Sequence, residues 1–306
     1  MATRAAGHQR RGKKAMQMDI AENRRSNAGP FIAVGLLLAA VMAWTYWSTI
    51  MDLFREWQNN EDYSAGQLVP LVAAFLVWRE WKTLRQCSLK PAWLAGGVLL
   101  LLALAARTYG LMFMFESGER YSFVLAIIAL VLMVAGWEVF RRLIWVLLIL
   151  FLMVPFPGKI HNMISGPLQR MASNGSVFLL EAFGVRVSQQ GNVVTLDGRI
   201  PMAVAEACSG LRMLTAFIIV AAFIAYMVKR PRWQKTTLFV SSIPVAVICN
   251  ILRLTVTAVL FMLASSEVAE KFFHDFAGLV MMPAAVLLMF GELWLMEILT
   301  IPEKQS

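Results

Sequence analysis

The chain has 306 residues, 59% of them apolar and only 15% charged, with a mean hydropathy of +0.64, which excludes an ordinary soluble domain. Its net charge of +9 does not mark a nucleic-acid binder, because the basic residues gather in the N-terminal tail and at the ends of apolar blocks, where they set membrane topology. Three cysteines (Cys87, Cys208, Cys249), three histidines and no CxxC string exclude a disulfide framework and argue against an all-histidine metal centre. No metal and no cofactor are expected.

In chain order, residues 1–30 form a polar, basic tail (Arg4, Arg10, Arg11, Lys13, Lys14, Arg24, Arg25). The apolar run after it is too long for a signal-peptide core and reads as a retained anchor. The Arg24-Arg25 pair reads as topology-setting charge rather than a twin-arginine signal. Apolar blocks of membrane-crossing length predict eight helices, over 31–50, 66–81, 91–109, 121–137, 141–157, 211–228, 236–259 and 278–298. Residues 31–300 thus form one all-α polytopic membrane domain, followed by a short tail at 301–306.

Loop charge orients it. The tail, the 79–90 loop (Arg79, Lys82, Arg85, Lys90), a turn at 138–142 (Arg141, Arg142) and the 229–235 loop (Lys229, Arg230, Arg232, Lys235) are basic. The alternate loops carry acid: Asp52, Glu56, Glu61 and Asp62 in one, Glu116 and Glu119 in another. The positive-inside rule then makes both termini cytoplasmic. The long segment 158–210 lies outside, after the helix-ending string Val154-Pro155-Phe156-Pro157-Gly158. Its first half, through Leu180, reads as an amphipathic helix on the membrane. Its second half, 185–204, reads as a small hairpin around Gln190-Gly191-Asn192 and Asp197-Gly198.

Chemistry enters just before the sixth helix, in Val204-Ala205-Glu206-Ala207-Cys208-Ser209-Gly210-Leu211-Arg212. A thiol at a helix N-terminus meets exposed amides and the helix dipole, which favour the thiolate. Ser209 is the expected N-cap, and Arg212 shares a face with Cys208 if the helix has begun by then. Arg253 lies about 26 Å along the seventh helix from Thr236 at 1.5 Å per residue, which brings it level with Cys208 at the outer side. A charge within a span marks a functional site by default, and Asn250 is placed to orient its guanidinium. His274, in Phe272-Phe273-His274-Asp275-Phe276-Ala277-Gly278, stands at the outer entrance to the last helix. A thiolate, a cation over the developing oxyanion and an imidazole are what acyl transfer from a peptide requires. His161, also outside, is a rival base. Asp275 reads as loop charge, Cys249 as packing, and Cys87 has no assigned role.

These residues resemble the exosortase/archaeosortase family. The resemblance rests on Gly191-Asn192-Val193-Val194-Thr195-Leu196, on 204–212, on Asn250-Ile251-Leu252-Arg253, on His274-Asp275-Phe276-Ala277-Gly278 and on the Val154–Pro157 turn, and spans roughly 31–300. It implies a membrane-embedded cysteine protease or transpeptidase of the bacterial inner membrane, with Cys208 as nucleophile, Arg253 as cationic partner and His274 as acid/base. Arg212, Asn250, Glu206 and Ser209 then support the site. The implied partners are exported proteins held by a C-terminal signal of short motif (PEP-CTERM-like), membrane helix and basic tail, in connection with exopolysaccharide production. One departure stands out: Tyr63-Ser64-Ala65-Gly66 carries Ala65 where the family often has histidine. Two alternatives stay open, a non-enzymatic transporter or scaffold for polysaccharide export and a membrane acyltransferase using the same cysteine. The missing internal repeat weakens the transporter.

Overall fold

A computed structural model describes residues 33–190, 193–196, 200–203, 210–263 and 277–299. The elements run α1 (Ala33–Thr45), α2 (Trp47–Asn59), a 3₁₀ turn (Glu61–Gln67), α3 (Leu68–Leu84), α4 (Trp93–Met112), α5 (Glu116–Ile149), a 3₁₀ turn (Leu150–Met153) and α6 (Gly158–Ala182). Three strands follow, β1 (Val187–Gln190), β2 (Val193–Leu196) and β3 (Ile200–Ala203), then α7 (Leu211–Met227), α8 (Arg232–Leu263) and α9 (Ala277–Leu299). The chain is therefore mostly helical, as a backbone in lipid must be.

Each predicted apolar block overlaps helix, the one over 141–157 only as far as Met153, but eight spans do not follow. Among the described residues, Trp93–Met112, Glu116–Met153 and Arg232–Leu263 are long and apolar enough to cross a membrane. A fourth span results if α1 and α2, which meet at 62°, act together. Helix α7 is apolar but has only 17 residues, about 26 Å at 1.5 Å per residue. The turn expected at 138–142 is instead helical. The break falls at Gly136, the one residue inside α5 with non-helical dihedrals (φ 82°, ψ −175°). Arg141 and Arg142 end no helix by being charged, since the backbone stays bonded while their heads reach for polar surroundings. Glycine breaks one because only it enters that conformation without strain.

Two compact units emerge, one of residues 1–52 and 77–147, the other of 53–76 and 148–306. In the first, Tyr46, Ala103 and Ala126 form a buried cluster. Tyr46 Oη lies 3.1 Å from Ser122 Oγ, and the Arg107 guanidinium stacks 4.6 Å above the Tyr46 ring. Here α4 and α5 run close because Gly96 touches the backbone of Met133 and Gly110 that of Glu119.

The second unit is built around α7, buried along most of its length: Leu211, Leu214, Phe217, Ala221 and Ile224 all lie in the core. The expected amphipathic helix exists as α6, and it packs against α8. Gly175 admits the Ile251 side chain, and Ala172, Ser173, Ser176 and Leu180 are buried. The expected hairpin has one strand more, giving an antiparallel sheet in the order β1-β2-β3. Val187 pairs with Leu196 and Gln190 with Val193, then Leu196 with Ile200 and Val193 with Ala203. Alternation along β2 turns Val194 and Leu196 onto Leu180, Leu254 and Ala258. This seats the sheet on α6 and α8.

Candidate functional site

Arg253 sits well inside α8, and its side chain is buried at 7% exposure. Its Nη2 donates to Asn250 Oδ1 at 2.9 Å, one helical turn earlier, so the i, i+3 spacing in Asn250-Ile251-Leu252-Arg253 makes the pair locally. Asn250 is itself buried at 2% exposure. Thr257 Oγ1 donates 2.8 Å back to the Arg253 carbonyl. The Asn250 side chain, expected to orient the guanidinium, thus contacts one of its nitrogens. Cys249, beside them, lies in the apolar core with Leu211, Leu214 and Phe217, so its thiol is packing.

The start of α7 reaches this pair through Gly210. A Cβ at that position would stand 2.9 Å from Asn250 Nδ2 and 3.5 Å from Leu168 Cβ. The glycine is therefore required for a close approach, and its left-handed backbone (φ 65°) requires it independently. Gly210, not Ser209, is the N-cap: its carbonyl accepts the first intrahelical bond from Leu214 N at 2.9 Å. This corrects the predicted cap by one residue, because the helical hydrogen bonds begin at the Gly210 carbonyl. It also removes the premise on which Arg212 would share a helical face with Cys208, since the helix begins only at Leu211.

Arg212 turns elsewhere. Its Nη1 lies 3.0 Å from Glu61 Oε2, and both side chains are substantially exposed. Thr215 Oγ1 lies 3.4 Å from the Asp62 carbonyl, so the Glu61–Gln67 turn is laid against the first turns of α7. Asn60 caps that turn by accepting from Asp62 N at 3.1 Å. Gly66 leaves room for Trp57, whose Nε1 donates to the Met153 carbonyl at 3.0 Å.

Sequence reasoning underrated what this turn holds. His161, in the first turn of α6, has Nδ1 2.8 Å from Tyr63 Oη and Nε2 3.7 Å from Asp62 Oδ2. The imidazole is thus hydrogen-bonded at one nitrogen by a phenol, with a carboxylate near the other. Asp62 was legible as acid in a loop, but nothing in the sequence ties position 62 to 161. The tie comes from the Val154–Gly158 turn: Tyr63 Oη also approaches the Phe156 carbonyl at 3.5 Å, and His161 N bonds the Pro157 carbonyl at 2.9 Å. Ala65, where the resemblance leads one to expect histidine, is buried at 5% within this same turn.

The described site residues thus fall in two groups flanking the start of α7: Asn250 with Arg253, and Asp62, Tyr63 and His161. Cys208, Glu206, Ser209 and His274 lie outside the described residues, as do most of the connections around the strands.

Apolar helices of spanning length and a buried arginine beside a glycine-entered helix define a multi-pass membrane protein with an internal polar site. The family model described as transmembrane exosortase (Exosortase_EpsH) matches residues 57–291, more than half of the chain. The protein belongs to the transmembrane exosortase family, and that membership supports a membrane transpeptidase or protein-sorting role in general terms. No curated protein and no solved structure matches the chain.

Proposed function

We propose that the protein is a membrane-embedded cysteine transpeptidase that cuts C-terminal sorting signals of exported, membrane-anchored proteins. The observation that carries this is the contact between Gly210 and the buried Asn250–Arg253 pair. Cys208 is two residues from Gly210 in the chain, and two residues extend at most about 7 Å. That short separation along the chain supports reading the cysteine of the motif together with Arg253, the arginine buried within α8.

In this reading the Cys208 thiolate attacks the scissile carbonyl carbon. The carbonyl π pair moves to oxygen, where the Arg253 guanidinium stabilises the charge. Collapse breaks the C–N bond, the departing amine takes its proton from an imidazolium, and a thioester remains. An incoming water or amine then gives a proton to the imidazole and attacks the thioester, releasing the product and restoring the thiolate and the imidazolium. A desolvated guanidinium is suited to this task, because charge interactions strengthen as the local dielectric falls. The wider reading places eight spans in a bacterial inner membrane, both termini inside and the site at the outer face, with substrates of PEP-CTERM type linked to exopolysaccharide.

His274 fills the imidazole role by family resemblance. A second assignment is favoured by the Asp62–His161–Tyr63 arrangement, in which a histidine is hydrogen-bonded to a phenol and stands near a carboxylate. Comparing His274→Ala with His161→Ala at equal expression decides: loss of processing in one and retention in the other names the proton carrier.

The function itself is tested by intact-mass analysis of a C-terminally anchored protein co-expressed with wild type or Cys208→Ala. A shortened product with wild type alone is expected, a loss of at least about a thousandfold in the variant. Undiminished processing by Cys208→Ala overturns the nucleophile, and absence of processing by wild type across several such substrates returns the scaffold reading. The product's mass also separates hydrolysis from transfer to an acceptor.

A further inference from the structure

The first unit holds a charged cavity that the sorting chemistry does not use. After α3 the chain turns at Gln86 and Cys87, whose amides bond the Thr83 and Leu84 carbonyls at 3.1 Å each. It then folds back over the break in α5. Lys90 and Gly136 form an isolated parallel bridge, and the Lys90 carbonyl occupies the place a Cβ on Gly136 would need. Ala92 N donates to the Leu132 carbonyl at 3.1 Å, and Ser88 N to Glu138 Oε2 at 3.0 Å.

Between this loop and the second half of α5 lies a cavity of about 740 Å³, lined by Ser88, Lys90, Trp137, Glu138, Arg141 and Arg142. Three cations face one carboxylate, and that carboxylate already accepts an amide. Among the described residues, neither Lys90 nor Arg141 nor Arg142 is in an ion pair. Desolvation raises the pKa of the neighbouring Cys87 thiol, with Arg142 drawing it back down and Glu138 adding to the rise. The thiol donates to the Thr83 carbonyl at 3.5 Å.

What leads away from the cations decides the ligand. Trp137, Arg141, Ile144 and Trp145 recur three or four residues apart, on one face of the helix. Trp137, Ile144 and Trp145 are exposed apolar side chains. A free phosphate compound needs only the cationic cradle. A lipid needs a cradle at the interface and an apolar track running from it into the bilayer, with tryptophan at the boundary. We propose that this cavity binds the phosphate headgroup of an anionic phospholipid, its chains lying along the Ile144–Trp145 face. The inference does not depend on the cysteine chemistry.

The test is native mass spectrometry of the full-length protein, offered phosphatidylglycerol, phosphatidylcholine or inorganic phosphate. Wild type is expected to retain phosphatidylglycerol and release the other two. Lys90→Gln with Arg142→Gln is expected to weaken retention about 25-fold, about fivefold per cation removed. Lys82→Gln with Arg85→Gln, equal in charge but outside the cavity, is expected to leave it unchanged. Glu138→Gln, which keeps an acceptor for Ser88 N, is expected to strengthen retention about fivefold. That gain is a result misfolding does not produce. Equal loss in the Lys82/Arg85 pair overturns the proposal in favour of general surface charge. So does unchanged or weaker retention in Glu138→Gln. Displacement of the lipid by inorganic phosphate overturns the lipid as the occupant.

Discussion

Gly210 and Gly136 do the same thing to the backbone and opposite things to the arginines near them. Both have positive φ, and at both the missing Cβ admits a polar group. At Gly210 that group is the side-chain amide of Asn250, at Gly136 the backbone carbonyl of Lys90. The first approach is closed over: Asn250 and Arg253 are buried together within α8. The second is open: Arg141 and Arg142 stand exposed around a cavity. A guanidinium shielded from solvent, with one amide fixing its direction, is a preorganised electrostatic device whose field is not screened away. Exposed guanidinium groups in a mixed-charge cleft are held loosely and act on what comes to them. Burial, more than charge, separates a candidate catalytic arginine from a candidate binding one.

The comparison is broken most directly at Arg253. Arg253→Lys keeps the charge but not the planar fork that meets Asn250, so processing is expected to fall about 10²–10³-fold with expression and thermal stability retained. Near-normal turnover would make Arg253 an interface anchor.

Gly136→Ala comes next. It places a side chain in a conformation few residues adopt and drives it into the Lys90 carbonyl. A loss of about 3 kcal/mol in unfolding stability is expected. Surviving protein should process substrate normally, because the break positions the cavity and not the thiol.

Gly210→Ala should divide its cost differently. The left-handed residue costs about 1–2 kcal/mol, and the Asn250 amide has to give way. Processing is expected to drop about 10- to 100-fold, since the amide orients the arginine. A loss of stability without loss of processing would detach Gly210 from the site.

Arg212→Gln is the smallest change. Its pair with Glu61 is surface-exposed, and such pairs contribute at most about 1 kcal/mol. A thermal shift of a few degrees at most and processing within about threefold are expected. A loss as deep as that of Arg253→Lys would place Arg212 in the chemistry after all.

Composition and block length determined the membrane class and the helical architecture, because a backbone in lipid has no other way to satisfy its hydrogen bonds. Local spacing determined the Asn250–Arg253 bond, since residues three apart on a helix are neighbours whatever surrounds them. The strand alternation of Val193–Leu196 was legible for the same reason, as a period of two. The position of the break in α5 was not: charge at Arg141 and Arg142 drew the expected turn to 138–142, whereas the backbone turned where glycine permitted it.

The tertiary structure alone decided three things. It placed Gly210 against Asn250, set His161 between Asp62 and Tyr63, and turned Arg212 toward Glu61. Each joins positions far apart in the chain through packing between helices, and no periodicity records which faces will meet. The chain carried the residue types its chemistry needs in plain view. Which of them stand together depended on how α6, α7 and α8 close around one another, a matter of side-chain volumes and missing Cβ atoms summed over the whole unit.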